Sequence, residues 1–472
     1  MNKLFKDRQF WKTTVKLAVP VAFQNLLTSS YSLADTLLVS NLGTAALSSV
    51  GMIGQWTFLM NMILVGFCSA TGVFASQFWG VKDLKRIKHI CGISMIFALF
   101  VSALFTAVSL IIPNLVVEIF NKDKTVIALG TEYLKVVSFS YIAVAITNIL
   151  ASVLRAVENV KLPMYASGFT TVLNIFLDYC MIFGKFGFSK MGVKGAALAT
   201  SISAWVGVIM IIVISVIQKN IIIGKPSEYF SFNKNEVASY VRKATPVVLN
   251  EGMWGAGTFV YNVIFANMGY EYFSAVTILR SFENVALVMF FGIGSAASVM
   301  IGKSIGSGEI DRAVTDSKRF SVIVPSLAVV MSVFIVIFRE NLVGIFNMGS
   351  NISELTLKTA VTLMIIYAVA FPLRMIPYIQ IVAIFRSGGD TVTGAKFEIF
   401  CLWALSVPAT LIAVYVFKVP FVVAFAIMYI FEDIPKNIFS ISHFLSNKWI
   451  KPVTKEGIDG YERYKREIAG DE

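Results

Sequence analysis

VKLAVPVAFQNLLTSSYSLADTLLVSNLGTAALSSV (residues 15–50) and VRKATPVVLNEGMWGAGTFVYNVIFANMGYEYFSAV (residues 241–276) decide the fold. Each has a basic residue at its second position, Lys16 or Arg242, and then runs largely apolar for about the 20 residues that a helix needs to cross a bilayer core. Each ends in a short Asn–x–Gly turn, Asn41-Leu42-Gly43 and Asn267-Met268-Gly269. A shift of 226 residues superposes them: Pro20-Val21 falls on Pro246-Val247, the two turns coincide, and Ser48-Ser49-Val50 falls on Ser274-Ala275-Val276. The same shift carries Gly80 onto Gly306 and Ile119-Phe120-Asn121 onto Ile345-Phe346-Asn347, while Arg155 meets Arg386 at a shift of 231. Matches at Pro, Asn and Gly are matches between chain punctuators, not between apolar filler, and they mark a long internal repeat.

Outward from these stretches, the 472 residues are 57% apolar and 14% charged. Backbone amides in lipid must be paired within their own segment, so apolar blocks of this length are read as spanning helices. Twelve are expected, at 15–39, 50–74, 90–113, 133–153, 163–183, 193–217, 240–266, 276–301, 320–338, 355–385, 395–417 and 420–445. The fold class is therefore an all-α polytopic membrane protein with two six-helix lobes. Six is even, so both lobes enter the membrane from the same side; such parallel repeats place substrate near the midplane between them. The organisation read from the chain is a first lobe at 1–217, a connector at 218–239, a second lobe at 240–446 and a charged, solvated cytoplasmic tail at 447–472, with Trp449 anchored at the membrane interface.

The net charge of +12 does not indicate nucleic acid, because the basic residues are distributed by loop. Lys3, Lys6, Arg8, Lys12 and Lys16, the 82–88 loop, the 219–243 connector and the 303–319 loop are basic and fall on one side. The loops around Asn41, Gly269 and Lys418 carry almost no charge, and those near Lys122 and Arg339 are balanced. By the positive-inside rule both termini are cytoplasmic and the location is a bacterial inner (plasma) membrane, although Lys185, Lys190 and Lys194 place positive charge outside. Gln24, Asn25, Thr28 and Asp35 interrupt the first apolar run, which does not read as a cleaved signal peptide. Cys68, Cys91, Cys180 and Cys401 make neither a disulfide framework nor a metal spacing.

Ionisable groups inside spans are costly, so each is a functional candidate. Gln24, Thr28, Tyr31 and Asp35 recur at helical spacing and form a polar stripe on the first span, with Pro20 as a bending point about four turns before Asp35. Asn174 and Asp178 are four apart and share a face of the fifth span, and Thr200 on the sixth offers a hydroxyl. Asp35, Asn174 and Asp178 together can hold a proton, or a Na⁺ on hard oxygen ligands. A plain end-cap is the structural alternative for Asp35, as an interhelical hydrogen bond is for Asn174. The second half carries Glu251, Arg280, Glu283 and Arg374, with Glu432, Asp433 and Lys436 on the last span. A structural ion-pair network is the alternative role for Glu251 and Arg280. Substrate contacts are expected from Trp56, Tyr141, Trp205 and Trp254 beside Gln24, Thr28, Tyr31, Arg280, Glu283 and Arg374.

The same residues resemble the multidrug and toxic compound extrusion (MATE) family over nearly the whole chain. Pro20, Gln24-Asn25, Asp35-Thr36 and Asn41-Leu42-Gly43 resemble its first helix and the loop that follows. Asn174-Ile175-Phe176-Leu177-Asp178, Ile182-Phe183-Gly184 and Gly192-Val193-Lys194-Gly195-Ala196-Ala197 resemble its fifth and sixth helices, and Arg386-Ser387-Gly388-Gly389-Asp390-Thr391 its inner loop after the tenth. The resemblance implies alternating access and export of cationic or amphipathic organic compounds in exchange for H⁺ or Na⁺, without a cofactor, by a monomer. It implies that Asp35, Asn174 and Asp178 form the first-lobe cation site of the DNA-damage-inducible-type branch, and that Glu251 is the acid of the seventh helix. Two departures stand out. The Leu154-Arg155-Ala156-Val157-Glu158-Asn159 stretch lacks the family's Gly-Asp, and Arg374 stands where some branches carry an acid.

Two other classes compete with export. Arg280 and Arg374 would suit a flippase for a lipid-linked saccharide, whose phosphate favours cationic side chains. An enzyme is not expected: His89 and His443 are the only histidines, and Gly302-Lys303-Ser304 has Ala297 where a phosphate-binding loop needs glycine.

Overall fold

A computed structural model describes residues 6–120, 123–347 and 352–470. Lys3, Asn121 and Lys122, used above, lie outside the described residues. The twelve apolar blocks become twelve helical segments: α1 Arg8–Ser40, α2 Thr44–Gly80, α3 Leu84–Ile111, α4 Phe139–Ala156, α5 Lys161–Phe183, α6 Val193–Ile217, α7 Lys234–Met268, α8 Tyr270–Gly306, α9 Ile310–Asn347, α10 Glu354–Pro377, α11 Thr391–Phe400 and α12 Phe421–Leu445. A helix at Lys124–Val137 leads into α4 with a break at Ser138. Nine helices among the described residues are long and apolar enough to cross a membrane. Of the three not among them, α1 carries Asp35, α7 Glu251, and α12 Glu432, Asp433 and Lys436.

Extended π-helical turns are confined to the second half among the described residues. Tyr378–Phe385 continues α10, and Cys401–Ser406 and Ile412–Val416 continue α11. They adjoin Pro377 and Pro408, whose rings remove a backbone donor and favour a widened turn.

The chain divides into two compact units, Pro20–Val248 and Met1–Val19 with Leu249–Glu472. Within the first, α2 packs on α3, α4 on both, and α5 on α6. Within the second, α8 packs on α9, α10 on both, and the continuation of α11 on α12. Identical pairing six helices apart is the repeat expressed as packing. The division does not fall in the connector. It falls inside α1 at Pro20 and inside α7 just after Pro246, where a missing N–H interrupts the helical ladder. Residues before Pro20 belong to the C-terminal unit: the Phe10 ring packs at a tilt on Phe320 with centroids 5.1 Å apart, and Asp7 pairs with Arg319 at 2.9 Å. The start of α7 belongs to the N-terminal unit, with the Tyr240 hydroxyl donating to the Phe67 carbonyl at 3.1 Å.

The tail differs from the solvated end that its charge suggests. Trp449 is fully buried between Phe385 and Phe444, not anchored at an interface, and its Nε1 donates to the Phe444 carbonyl at 3.2 Å. Lys451 N–H donates to the Gly388 carbonyl at 2.7 Å, and Thr454 Oγ1 to the Gly306 carbonyl at 2.6 Å. The tail helix α13, Lys455–Gly470, then lies across Gly308 with Gly460 facing it. Charged residues cover its outer side, which is why composition alone reads the segment as solvated.

Asp390 fastens this arrangement. It caps α11, accepting from Thr393 N–H, and pairs with His443 and Lys451, each at 2.9 Å. Burial alone would raise its pKa, but the donors from His443 and Lys451 outweigh it and hold the carboxyl at about 2, below the ordinary 3.8. A depressed folded value stabilises above the unfolded value and is lost as pH falls through the folded one. The tail is therefore expected to stay docked down to about pH 4 and to loosen between about pH 4 and 2, with about 2 kcal/mol at stake. Pepsin cleavage within 447–470 across that interval checks it; cleavage independent of pH would refute it.

Candidate functional site

Three helices of the N-terminal unit bring the expected residues together. Asn174 and Asp178, one turn apart on α5, are 1% and 0% exposed. With the Asn174 amide oriented to satisfy both its atoms, its nitrogen donates to Asp178 Oδ2 at 2.7 Å and its oxygen accepts from Thr200 N–H at 3.3 Å. Thr200 on α6 shares a hydrogen bond with the Tyr31 hydroxyl of α1 at 3.3 Å. Asp35, one turn beyond Tyr31, is an electrostatic neighbour of Asp178. Small residues permit the approach: a Cβ on Gly195 of α6 would lie 2.7 Å from the Met181 carbonyl of α5.

The two carboxylates are not saturated. Asp35 Oδ1 and Asp178 Oδ1 are buried and receive no hydrogen bond. Buried carboxylate oxygens without donors are costly, and here two such groups adjoin an amide oxygen and two hydroxyls. Such a set is chemically suited to one added positive charge, a proton or a hard cation. The end-cap reading of Asp35 does not describe its surroundings.

Sequence reasoning did not single out Tyr133 as part of this site. It is 6% exposed and an electrostatic neighbour of Asp35, Tyr31 and Asp178. It stands on the helix before α4, and a tyrosine at the start of an apolar block carries no signal that separates it from an interfacial anchor. Removing the Tyr31 hydroxyl tests the hydroxyl framework. Tyr31→Phe is expected to weaken coupling-ion binding severalfold while costing about 1 kcal/mol of stability, since one hydrogen bond is lost. Ion titration alongside thermal melting checks it.

The remaining polar-stripe residues contribute less. Thr28 is exposed and donates to the Gln24 carbonyl within α1 at 3.0 Å. Gln24 is half-buried. Of the aromatic residues, Tyr141 is fully buried, with its hydroxyl on Thr57 at 3.1 Å, which makes it core and not lining. Trp56 Nε1 donates to Ser109 at 3.1 Å and its ring packs on Phe105. Trp205 Nε1 donates to the Phe139 carbonyl at 3.1 Å. Trp254 is 40% exposed and borders a small cavity with Asn250, Glu398 and Lys436.

In the C-terminal unit the acids and bases pair. Glu251 accepts from Arg386 at 2.8 Å, not from Arg280, and Glu398 flanks the same guanidinium at 3.7 Å while accepting from the Asn250 amide. Arg374 pairs with Glu283 at 3.3 Å, and Lys436 with Glu432 at 2.8 Å. Glu251 therefore differs from Asp35: a buried cation already occupies it. Under the repeat Glu251 stands where the first half has Asn25, so the two units are chemically unequal at this level.

Comparison with known proteins adds to this geometry. A sequence profile described as MatE matches residues 20–180 and 246–412. The chain is 26% identical over 452 residues to the "Probable multidrug resistance protein NorM" of Thermotoga maritima, covering 93% of each. It is 24% identical over 382 residues to the "Uncharacterized transporter YisQ" of Bacillus subtilis, covering 79% of this chain and 81% of that one. Among solved structures, a mutant of the Vibrio cholerae MATE transporter VcmN superposes with a TM-score of 0.83 at 18% identity, over 95% of this chain and 99% of that one. An outward-facing multidrug resistance MATE family transporter superposes with a TM-score of 0.79 at 20% identity, over 92% and 94%.

Proposed function

The chain belongs to the MatE family, membrane transporters and not enzymes, and on that premise we propose that it exports cationic or amphipathic organic compounds in exchange for H⁺ or Na⁺. The observation that carries this reading is the pair of buried, undonated oxygens of Asp35 and Asp178, framed by Tyr31, Asn174 and Thr200. A cation entering from outside neutralises this cluster. Neutralisation changes the electrostatics along α1 on the side of Pro20 that belongs to the N-terminal unit. Pro20 lets that part of α1 bend independently of Arg8–Val19, so ion occupancy is coupled to the lining of the first unit and to release of the organic compound. Exchange follows if ion and compound favour different α1 conformations. The direction is outward across the plasma membrane, with both termini cytoplasmic.

The test is a purified protein in liposomes, moving a fluorescent organic cation under an imposed pH or Na⁺ gradient. Movement with one gradient supports the reading and identifies the ion. If neither gradient moves the dye, the reading fails. A phosphate-bearing lipid then becomes the substrate to try, because Arg280 has no ion pair among the described residues while Arg374 is neutralised by Glu283.

A further inference from the structure

Asp433, on α12 of the C-terminal unit, has no part in the site above. Its residue is 2% exposed, and neither carboxylate oxygen receives a hydrogen bond. Polar and charged neighbours face it from several elements: Tyr429, Glu432 and Lys436 from α12 itself, Tyr367 and Arg374 from α10, Glu283 from α8, Tyr261 from α7 and Cys401 from the continuation of α11. The cations that face it are engaged elsewhere: Lys436 with Glu432 at 2.8 Å and Arg374 with Glu283 at 3.3 Å. With Asp433 neutral, the acids Glu283 and Glu432 beside it are matched by Arg374 and Lys436. Ionising Asp433 adds a negative charge that no bond stabilises.

We infer that the Asp433 carboxyl is a proton-carrying site of the C-terminal unit, taking up and releasing one proton separately from the ion held by the Asp35–Asp178 cluster. A proton suits it better than a metal cation. No cluster of three or more acidic, His or Cys ligands exists among the described residues, and Lys436 and Arg374 repel an added cation that keeps its charge. A proton converts carboxylate to carboxylic acid, cancels the charge, and gains an O–H that the buried Tyr367 hydroxyl, itself without a partner, is near enough to feel. The inference goes beyond the export reading and uses none of the residues that carry it.

The test uses the full-length protein in lipid nanodiscs and infrared difference spectra between acid and alkaline pH. Wild type and Asp35→Asn are both expected to show a carboxylic-acid C=O band that disappears on the alkaline side. Asp433→Asn is expected to lose that band, and Asp433→Glu to move it to the position of a glutamic acid. Asp433→Asn mimics the neutral acid, so its melting temperature should be at or above that of wild type; Asp433→Glu keeps the test available if the amide does not fold. A band of unchanged intensity in Asp433→Asn, or a band constant across pH, overturns the inference. Normal transport by Asp35→Asn would instead defeat the export reading, leaving the infrared result to stand on its own.

Discussion

Asp35→Asn is expected to reduce gradient-driven export to the level of empty liposomes while leaving the folded protein at least as stable as wild type. The two outcomes share a cause. Asp35 Oδ1 is buried without a donor, so the carboxylate contributes its charge to the site and little to the fold. The amide removes an unpaired buried charge, which is neutral to favourable for folding. On the proposed reading it also removes the group that gains or loses a cation, so ion occupancy no longer biases α1 and the gradient has nothing to act on. Asp178→Asn should behave alike, with a smaller stability gain because Asp178 Oδ2 already accepts from Asn174. Parallel measurement of dye transport and thermal melting decides it. Normal transport by Asp35→Asn removes the basis for coupling at this cluster; lost transport with a lowered melting temperature makes Asp35 a structural residue.

Glu251→Ala is expected to do the opposite, lowering stability by about 3 to 5 kcal/mol, the usual cost of stranding a buried ionic partner. The Arg386 side chain is 7% exposed and loses its 2.8 Å carboxylate. Glu398 remains at 3.7 Å, already engaged by Asn250, and cannot restore the geometry. Arg386 also opens the loop whose Gly388 carries Trp449 and whose Asp390 holds the tail; a Cβ on Gly388 would lie 2.6 Å from Trp449. Protease cleavage of the tail should therefore rise together with the fall in melting temperature. Glu251→Gln, which keeps a hydrogen-bonding oxygen, should recover part of the loss. An unchanged melting temperature with abolished export would return Glu251 to the coupling role expected from its position on the seventh span.

The contrast between these carboxylates shows where reading the chain ends. Asp35, Asn174 and Asp178 were legible because the first two tools, span cost and helical spacing, act within a single helix: a polar stripe on an apolar segment must face protein or water. Glu251 and Asp35 looked alike for the same reason. Each was an acid in an apolar run, and the partner that separates them, Arg386, lies 135 residues away from Glu251. Glu432 and Asp433 pose the problem at its sharpest. Lys436 is four residues from one and three from the other, and both spacings allow an ion pair on a helix. The structure gives Lys436 to Glu432 and leaves Asp433 without a donor.

The sequence by itself determined the spanning character, twelve helical segments, the repeat and the residues that meet in the first-unit Asp35–Asp178 cluster. These follow from length, hydropathy and period, quantities that one helix in lipid must satisfy alone. Only the tertiary structure decided that the units divide inside α1 and α7, that the charged tail is docked over a buried Trp449, that Tyr133 joins the cluster, and which buried acids are paired. Those outcomes depend on which side chains meet across helices distant in the chain, and a buried charge is stabilised or stranded by that meeting, whatever its place in its own helix.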